Sequence, residues 1–185
     1  MHSTARVIAL LALLSCAATA ARAQYPQRRD GFWIGFGLGY GAANITCDNC
    51  VDSSSVGGIT GFVKLGGAIN AWSRSNAGLT ETIANVTASV YLYPATRSGF
   101  FVTGGVGVSS YHANTFPASE GTGLGLTAGA GYDIRVGRDV SLSPVVNFVF
   151  GALGDFDVPL NGGGFATARG WKQHVVDVGL AVTFH

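Results

Sequence analysis

The stretch "IGFGLGYG", residues 34–41, has a glycine at every second position. Ile34, Phe36, Leu38 and Tyr40 fill the positions between the glycines. An alternation with a period of two indicates a β-strand, because successive side chains of a strand point to opposite faces. The stretch therefore predicts a strand with one large apolar face and one bare face.

A glycine-rich run also raises the question of a phosphate-binding loop. The dinucleotide-binding pattern Gly-x-Gly-x-x-Gly needs a third glycine that opens a helix. Counted from Gly35 and Gly37, that position holds Tyr40, and counted from Gly37 and Gly39 it holds Ala42. No helical periodicity follows the run. The nucleotide interpretation is therefore disfavoured.

The composition indicates a membrane protein without spanning helices. The chain of 185 residues contains 28 glycines, 48% hydrophobic and only 11% charged residues, with a mean hydropathy of +0.34. No apolar run after residue 25 approaches the length of a spanning helix. Only helices and closed barrels satisfy their backbone groups in hydrocarbon, so a barrel is predicted. The net charge of +1 gives no electrostatic footprint for nucleic acid.

The N-terminal segment has the pattern of an export signal. A basic residue precedes the apolar stretch "VIALLALLSCAATA", and Ala21 and Ala23 stand before Gln24. We predict that residues 1–23 form a cleaved secretory signal peptide. "LLSC" offers an alternative, in which Cys16 is lipidated after processing. A retained membrane helix is disfavoured, because the stretch is short and no basic stop follows it.

Two cysteines remain after removal of the signal, in the motif "CDNC". Export permits disulfides, so we predict a bond between Cys47 and Cys50 in an external loop. A redox-active Cys-x-x-Cys requires a helix N-terminus, which is not predicted here. A zinc site requires further Cys or His ligands nearby, and none follows. Both alternatives are less favoured than a small structural disulfide.

The alternation of the opening stretch recurs along the chain. Segments of about ten alternating residues separated by turns are typical of an outer-membrane barrel. Short turns are predicted at 94–99 and 136–139, and long external loops at 112–121 and 152–172. Seven strands can be identified, at 32–42, 58–70, 80–93, 100–111, 122–136, 139–151 and 173–184.

The charged residues of these strands share a face with the glycines. A soluble sandwich would put large apolar residues inside and charges outside. The opposite arrangement predicts a membrane barrel with a polar interior. The predicted lumen polar network is Lys64, Glu81, Asp133, Arg135 and Asp177.

An odd strand number conflicts with the even number expected of a single-chain bacterial barrel. The segments at 58–70 and 80–93 would both descend, so a rising strand between them is needed. Only "AWSRSNAGL" is available there. We therefore predict that a strand is deleted near Asn70 and Ala71, that closure is irregular around 66–80, and that barrel stability is impaired.

The chain resembles the small outer-membrane β-barrel proteins of Gram-negative bacteria, the OmpA/OmpX type, over residues 31–185. The resemblance rests on "GFWIGFGLGYG", the repeated "GVG", "AGAGYDIRVGR" and a closing alternation that ends in an aromatic residue. It implies an all-β, antiparallel up-and-down transmembrane barrel of the eight-stranded type at 32–185, preceded by a short segment at 24–31.

The resemblance also implies partners. Outer-membrane lipid would surround the barrel, and the barrel assembly machinery would read a C-terminal signal at Phe184 and His185. Proteins of this type usually end on the aromatic residue itself, so a final His185 departs from the pattern.

The expected function is non-enzymatic, structural or loop-mediated, at the bacterial cell surface, for a monomer without a cofactor. A lumen of about eight strands is filled by side chains, so a diffusion channel is not expected. A narrow solute channel is the first alternative. A lipid-modifying enzyme is the second, with Ser110 and His112 as the candidate nucleophile and base.

Overall fold

The structure is a computed structural model that describes residues 33–49, 55–65, 67–76, 78–95, 98–114, 119–159 and 164–185. The predicted signal peptide at 1–23 and the segment at 24–31 lie outside these residues. Among the residues described, no helix is long and apolar enough to cross a membrane. The strands are β1 (Ile34–Thr46), β2 (Val56–Lys64), β3 (Gly67–Asn76), β4 (Leu79–Leu92), β5 (Phe100–Ala113), β6 (Ser119–Tyr132), β7 (Ile134–Arg135), β8 (Val140–Pro159) and β9 (Phe165–Phe184).

The strands form one closed antiparallel ring. Each strand from β1 to β6 pairs with the next, β9 pairs with both β1 and β8, and β6 pairs with β8. The two-residue β7 continues the line of β6 beyond Asp133 and also pairs with β8. The nine strands found among the described residues therefore form a ring of eight, because β6 and β7 together fill one place in it. This confirms the predicted all-β, up-and-down barrel of the eight-stranded type.

The two ends of the barrel differ. The turns β2–β3, β4–β5 and β7–β8 lie at one end together with Trp33 and His185, and we call this end the turn rim. The connections β1–β2, β3–β4, β5–β6 and β8–β9 lie at the other end, the loop rim.

The opening glycine stretch lies in β1 with its bare face toward the lumen. Leu38 is 72% and Tyr40 62% exposed on the outer surface. Gly39 lies between Thr60 of β2 and Gly179 of β9 in the register of the three strands. The alternation predicted from the sequence is thus the alternation of outside and inside.

The prediction of seven strands and irregular closure around 66–80 is wrong. β3 occupies residues 67–76 and is hydrogen-bonded to a strand on each side. For example, its Ser73 pairs with Ile59 of β2, and its Gly67 pairs with Ala88 of β4. No deletion near Asn70 and Ala71 interrupts the ring.

The error has a simple geometric cause. Lys64 of β2 pairs with Ala68 of β3, and both residue numbers are even. Even-numbered side chains therefore face the same way in both strands, as they would in one continuous strand. The even-numbered residues nearest the hairpin are buried in both strands, at 58–64 in β2 and 68–72 in β3, and the outward Ile69 is 52% exposed. Parity alone therefore cannot distinguish this tight hairpin from one continuous strand.

The predicted long loop at 152–172 is also wrong for most of its length. β8 continues to Pro159 and β9 begins at Phe165, so the two strands project beyond the rest of the barrel as a hairpin. Its pairing shifts between Ala152, Gly154 and Phe156. Gly154 has a φ of 77°, a conformation that glycine adopts without strain and that is common at bulges. The shift breaks the alternation that identifies a strand in the sequence.

Candidate functional site

The outer surface is an apolar belt built from the outward residues of the strands. Ile59 is 68%, Val90 64% and Val178 60% exposed, although each lies within a strand that is paired on both sides. Soluble monomers rarely expose a continuous surface of this kind. Buried polar residues of the same strands, such as Thr60, Asn85 and Asp177, point into the lumen.

The lumen is blocked toward the loop rim by an apolar cluster, the loop-rim plug. The indole Nε1 of Trp72 donates a hydrogen bond of 3.2 Å to the carbonyl oxygen of Gly41. Trp171 and Phe156 pack against this cluster inside the barrel, with ring centroids 4.9 Å apart. The buried members of this plug are Ala43, Trp72, Ile83, Tyr111, Ala113, Val149, Leu153 and Val175.

A second cluster, the turn-rim plug, fills the lumen at the other end. Phe62, Phe101, Val145 and Ala181 are buried there, and Tyr91 and Tyr93 pack against them. The ring of Phe101 lies 5.7 Å from that of Tyr91 and 5.6 Å from that of Tyr93, measured between centroids. The two plugs therefore obstruct the lumen in series.

The turn-rim plug encloses the side chain of Lys64. Its Nζ lies 4.9 Å from the ring centroid of Phe101, 5.1 Å from that of Phe62 and 5.6 Å from that of Tyr91. Aromatic ring faces attract an ammonium group, most strongly where water is excluded. The carboxylates of Asp133 and Asp177 add Coulombic attraction. These contacts offset part of the cost of burying a charged group.

A polar layer, the middle layer, separates the two plugs. Asn147 Nδ2 donates to Asp177 Oδ1 at 2.9 Å, and Gln173 Nε2 donates to Ser109 Oγ at 2.9 Å. Asn85 Nδ2 lies 3.3 Å from the carbonyl oxygen of Phe150. The first contact joins the neighbouring strands β8 and β9, whereas the other two cross the lumen, from β9 to β5 and from β4 to β8.

The five charged residues predicted to form one lumen network all lie on the inner face, but at three levels. Lys64, Asp133 and Arg135 lie near the turn rim, where Arg135 is only 2% exposed. Asp177 belongs to the middle layer. Glu81 lies near the loop rim, where its Oε1 accepts a hydrogen bond of 3.0 Å from the hydroxyl of Tyr111.

Asp133 illustrates how a carboxylate is accommodated at the turn rim. Ser143 Oγ donates to its Oδ1 at 2.7 Å, and the hydroxyl of Tyr93 donates to its Oδ2 at 2.9 Å. Sequence parity identifies Asp133 as inward, but it gives no signal for these two donors. Ser143 belongs to β8 and Tyr93 directly follows β4, so only the register of the barrel brings the two donors together.

The loop rim carries a second organised region, where the β1–β2 loop docks on the projecting hairpin. The backbone N–H of Asp48 donates to the carbonyl oxygen of Arg169 at 2.9 Å. Asn49 Nδ2 donates to the carbonyl oxygen of Thr167 at 2.8 Å, and Asn49 Oδ1 accepts from the N–H of Arg169 at 2.9 Å. Cys47 is disulfide-bonded. Its predicted partner, Cys50, lies outside the described residues, so that pairing stays a prediction.

Ser110 and His112 both lie on the outer face of β5. His112 Nδ1 is 3.0 Å from Glu120 Oε1, its cross-strand neighbour on β6. The Ser110 hydroxyl instead donates to the carbonyl oxygen of Ala84 at 3.5 Å. Sequence reasoning missed Glu120, because only the β5–β6 register brings it beside His112.

The two C-terminal residues point to different sides of the wall. Phe184 is 45% exposed on the outer surface and pairs with Ile34 and Val140. His185 Nε2 lies 3.0 Å from Ser141 Oγ, and the backbone N–H of His185 donates to the carbonyl oxygen of Asp139 at 3.0 Å. These contacts fix the last residue at the turn rim.

Comparison with solved structures finds several bacterial outer-membrane proteins. Neisserial surface protein A is 14% identical, with 84% of this chain and 99% of that chain covered and a TM-score of 0.47. For Ail of Yersinia pestis the identity is 11%, the coverage 83% and 99%, and the TM-score 0.47. For OprG of Pseudomonas aeruginosa these values are 16%, 84% and 96%, and 0.46. No protein-family model and no curated protein sequence matches the chain.

Proposed function

We propose that this protein is a non-enzymatic β-barrel of the Gram-negative outer membrane, of the OmpA/OmpX type, which acts through its cell-surface loops. The observation that carries the proposal is the distribution of side chains in a closed ring of strands. Large apolar residues cover the outside, whereas charged, polar and aromatic residues pack inside. In water this arrangement would be strongly unfavourable, but in a bilayer it is the stable one.

The blocked lumen supports a structural or loop-mediated role over a solute channel. A solute would have to pass both the loop-rim plug and the turn-rim plug. Each plug contains several large buried side chains from different strands. Opening a path would expose these groups and would break the hydrogen bonds of the middle layer between them.

The loop rim supplies the surface for an interaction. The β8–β9 hairpin projects there, and the loop that contains Cys47 docks on it through Asp48 and Asn49. At its tip, Phe165 is 70% exposed. With the loop rim directed outward, this organised hairpin is the part of the protein that a ligand or another cell would meet.

The remaining assignments follow from this location. Residues 1–23 direct export and are removed, outer-membrane lipid surrounds the belt, and the assembly machinery reads Phe184 and His185 during insertion. The barrel is complete within one chain, so a monomer is proposed.

Membrane fractionation combined with heat-modifiable gel mobility tests the proposal. We expect the protein in the outer-membrane fraction, with an unheated band that migrates differently from the boiled one because the folded barrel resists detergent. Recovery in the soluble periplasmic fraction would contradict the membrane location. Single-channel recording in planar bilayers tests the blocked lumen, and stepwise conductance from the purified protein would favour the channel alternative.

A further inference from the structure

A small internal cavity lies between the two plugs. The volume open to the centre of a water molecule is about 10 Å³. This is close to the minimum that holds one water molecule. Three polar side chains line it, those of Thr60, Asn70 and Asp177. They belong to β2, β3 and β9 and are 3%, 8% and 4% exposed.

Two of these side chains have polar atoms without a protein partner. Thr60 Oγ1 and Asn70 Nδ2 are buried, and neither makes a hydrogen bond to another group of the described chain. The Asp177 carboxylate accepts one bond, from Asn147 Nδ2 at 2.9 Å. Buried donors and acceptors are paired in nearly all folded proteins, since an unpaired one loses its hydration without compensation.

The bare face of β1 leaves open the space between two of these groups, Thr60 and Asp177. A Cβ added to Gly39 would lie 2.7 Å from Thr60 Oγ1, and one added to Gly41 would lie 2.7 Å from the Cβ of Asp177. β1 separates β2 from β9 in the ring, so larger residues at Gly39 and Gly41 would fill the space between Thr60 and Asp177.

We propose that this cavity is a binding site for one ordered water molecule, which joins β2, β3 and β9 across the glycine face of β1. The water accepts a hydrogen bond from Asn70 Nδ2, donates one to the Asp177 carboxylate and has Thr60 Oγ1 as its third partner. Three polar partners are the usual number for a buried water. The amide donor of Asn70 disfavours a metal cation, and the volume excludes a larger ligand.

The chain offers a matched control for this site. Thr127 is 6% exposed, and its Oγ1 also lacks a protein partner, but it does not line the cavity. Thr60→Val and Thr127→Val therefore make the same chemical change at two buried inward positions. Only the first removes a partner of the proposed water.

High-resolution crystallography and water-to-protein nuclear Overhauser effects on the detergent-purified protein test the site directly. We expect one density peak within about 2.7–3.2 Å of Asn70 Nδ2, Thr60 Oγ1 and an Asp177 oxygen, and a water signal at the Asn70 side-chain amide. No peak and no signal would overturn the proposal. A peak identified as a metal ion by its anomalous signal would do the same.

Thermal unfolding of the variants provides the second measurement. Thr60→Val should lower Tm by a few degrees and weaken the water signal at Asn70, whereas Thr60→Ser should retain both. Thr127→Val should leave Tm unchanged or raise it, because it removes an unpaired hydroxyl. Equal effects of the two valine substitutions would contradict the proposal, and the signal in the unsubstituted protein decides the matter if Thr60→Val does not fold.

Discussion

The ring of Phe62 fills the space that a side chain on Gly37 would occupy. The two residues are direct cross-strand partners in β1 and β2, and both face the lumen. A Cβ built on Gly37 would overlap the ring atoms of Phe62. The bare face of the opening stretch is therefore the complement of a large residue on the next strand, and the turn-rim plug depends on it.

Gly37→Ala should destabilise the barrel by about 1–3 kcal/mol, since the added methyl group must displace a well-packed aromatic ring. Urea unfolding of the detergent-solubilised protein, followed by tryptophan fluorescence, measures this change.

Gly104→Ala is the matched control. A Cβ at Gly104, an exposed outward residue of β5, would meet nothing within 4 Å. Because alanine restricts the unfolded chain more than glycine does, Gly104→Ala should be neutral or slightly stabilising. The packing argument fails if the two substitutions have the same effect.

The two plugs should act in series. Removing one, by Phe101→Ala at the turn rim or by Trp72→Ala at the loop rim, leaves the other in place, so we expect each single variant to remain non-conducting. The double variant should show channel steps in planar bilayers, provided that heat-modifiable mobility shows it to be folded. Conductance from a folded single variant would mean that only one plug blocks the lumen.

How far the sequence predicts this structure depends on which interactions decide each part. Alternation follows from the local geometry of a strand. The sequence therefore predicts that Asp133 and Asp177 face inward. It predicts in the same way that Leu38 and Val178 face outward. Where a strand ends is decided by its partners instead. The tight β2–β3 hairpin preserves parity through Lys64 and Ala68, so the sequence pattern predicts one strand at 58–70.

The side-chain contacts of the lumen and the loop rim are harder to predict than the inward or outward direction of each strand residue. The polar partners of Asp133 and the Glu120 beside His112 are set by cross-strand register, which depends on the whole ring. The projecting part of β8 and β9 extends beyond the apolar belt, so its outward residues do not need to be apolar. Its sequence consequently has the composition of a loop.

Ser110→Ala and His112→Ala should leave the lipid composition of the outer membrane unchanged. The Ser110 hydroxyl is directed to the backbone of β4, and His112 pairs with an exposed carboxylate, an arrangement that needs no catalytic role. Mass spectrometry of extracted lipids from cells that produce each variant measures this. Loss of a modified lipid species in both variants, with normal protein levels, would favour the enzyme alternative.

Asn49→Ala should loosen the docking of the β1–β2 loop on the projecting hairpin. It removes the bonds from Asn49 to Thr167 and Arg169. Each exposed bond of this kind contributes about 0.5–1.5 kcal/mol, so the Arg169 amide should exchange about two- to tenfold faster with deuterium. Asp157→Ala is the control, because it removes only a bond to Thr167 Oγ1 within the hairpin. Equal exchange at Arg169 in both variants would contradict the docking role.

Phe184→Ala should reduce the amount of folded barrel in the outer membrane by more than its packing explains. Phe148→Ala provides the comparison, because both rings are outward and similarly exposed, at 45% for Phe184 and 43% for Phe148. Loss of lipid and cross-strand contacts should therefore be similar in the two variants. If the C-terminal aromatic residue is read during assembly, only Phe184→Ala should leave unfolded protein in the periplasm, as measured by the ratio of heat-modifiable to total protein.

Refolding of the purified variants into detergent separates assembly from stability, because we expect both to refold alike without the assembly machinery. An equal assembly defect in the two variants would show that Phe184 contributes only as a wall residue.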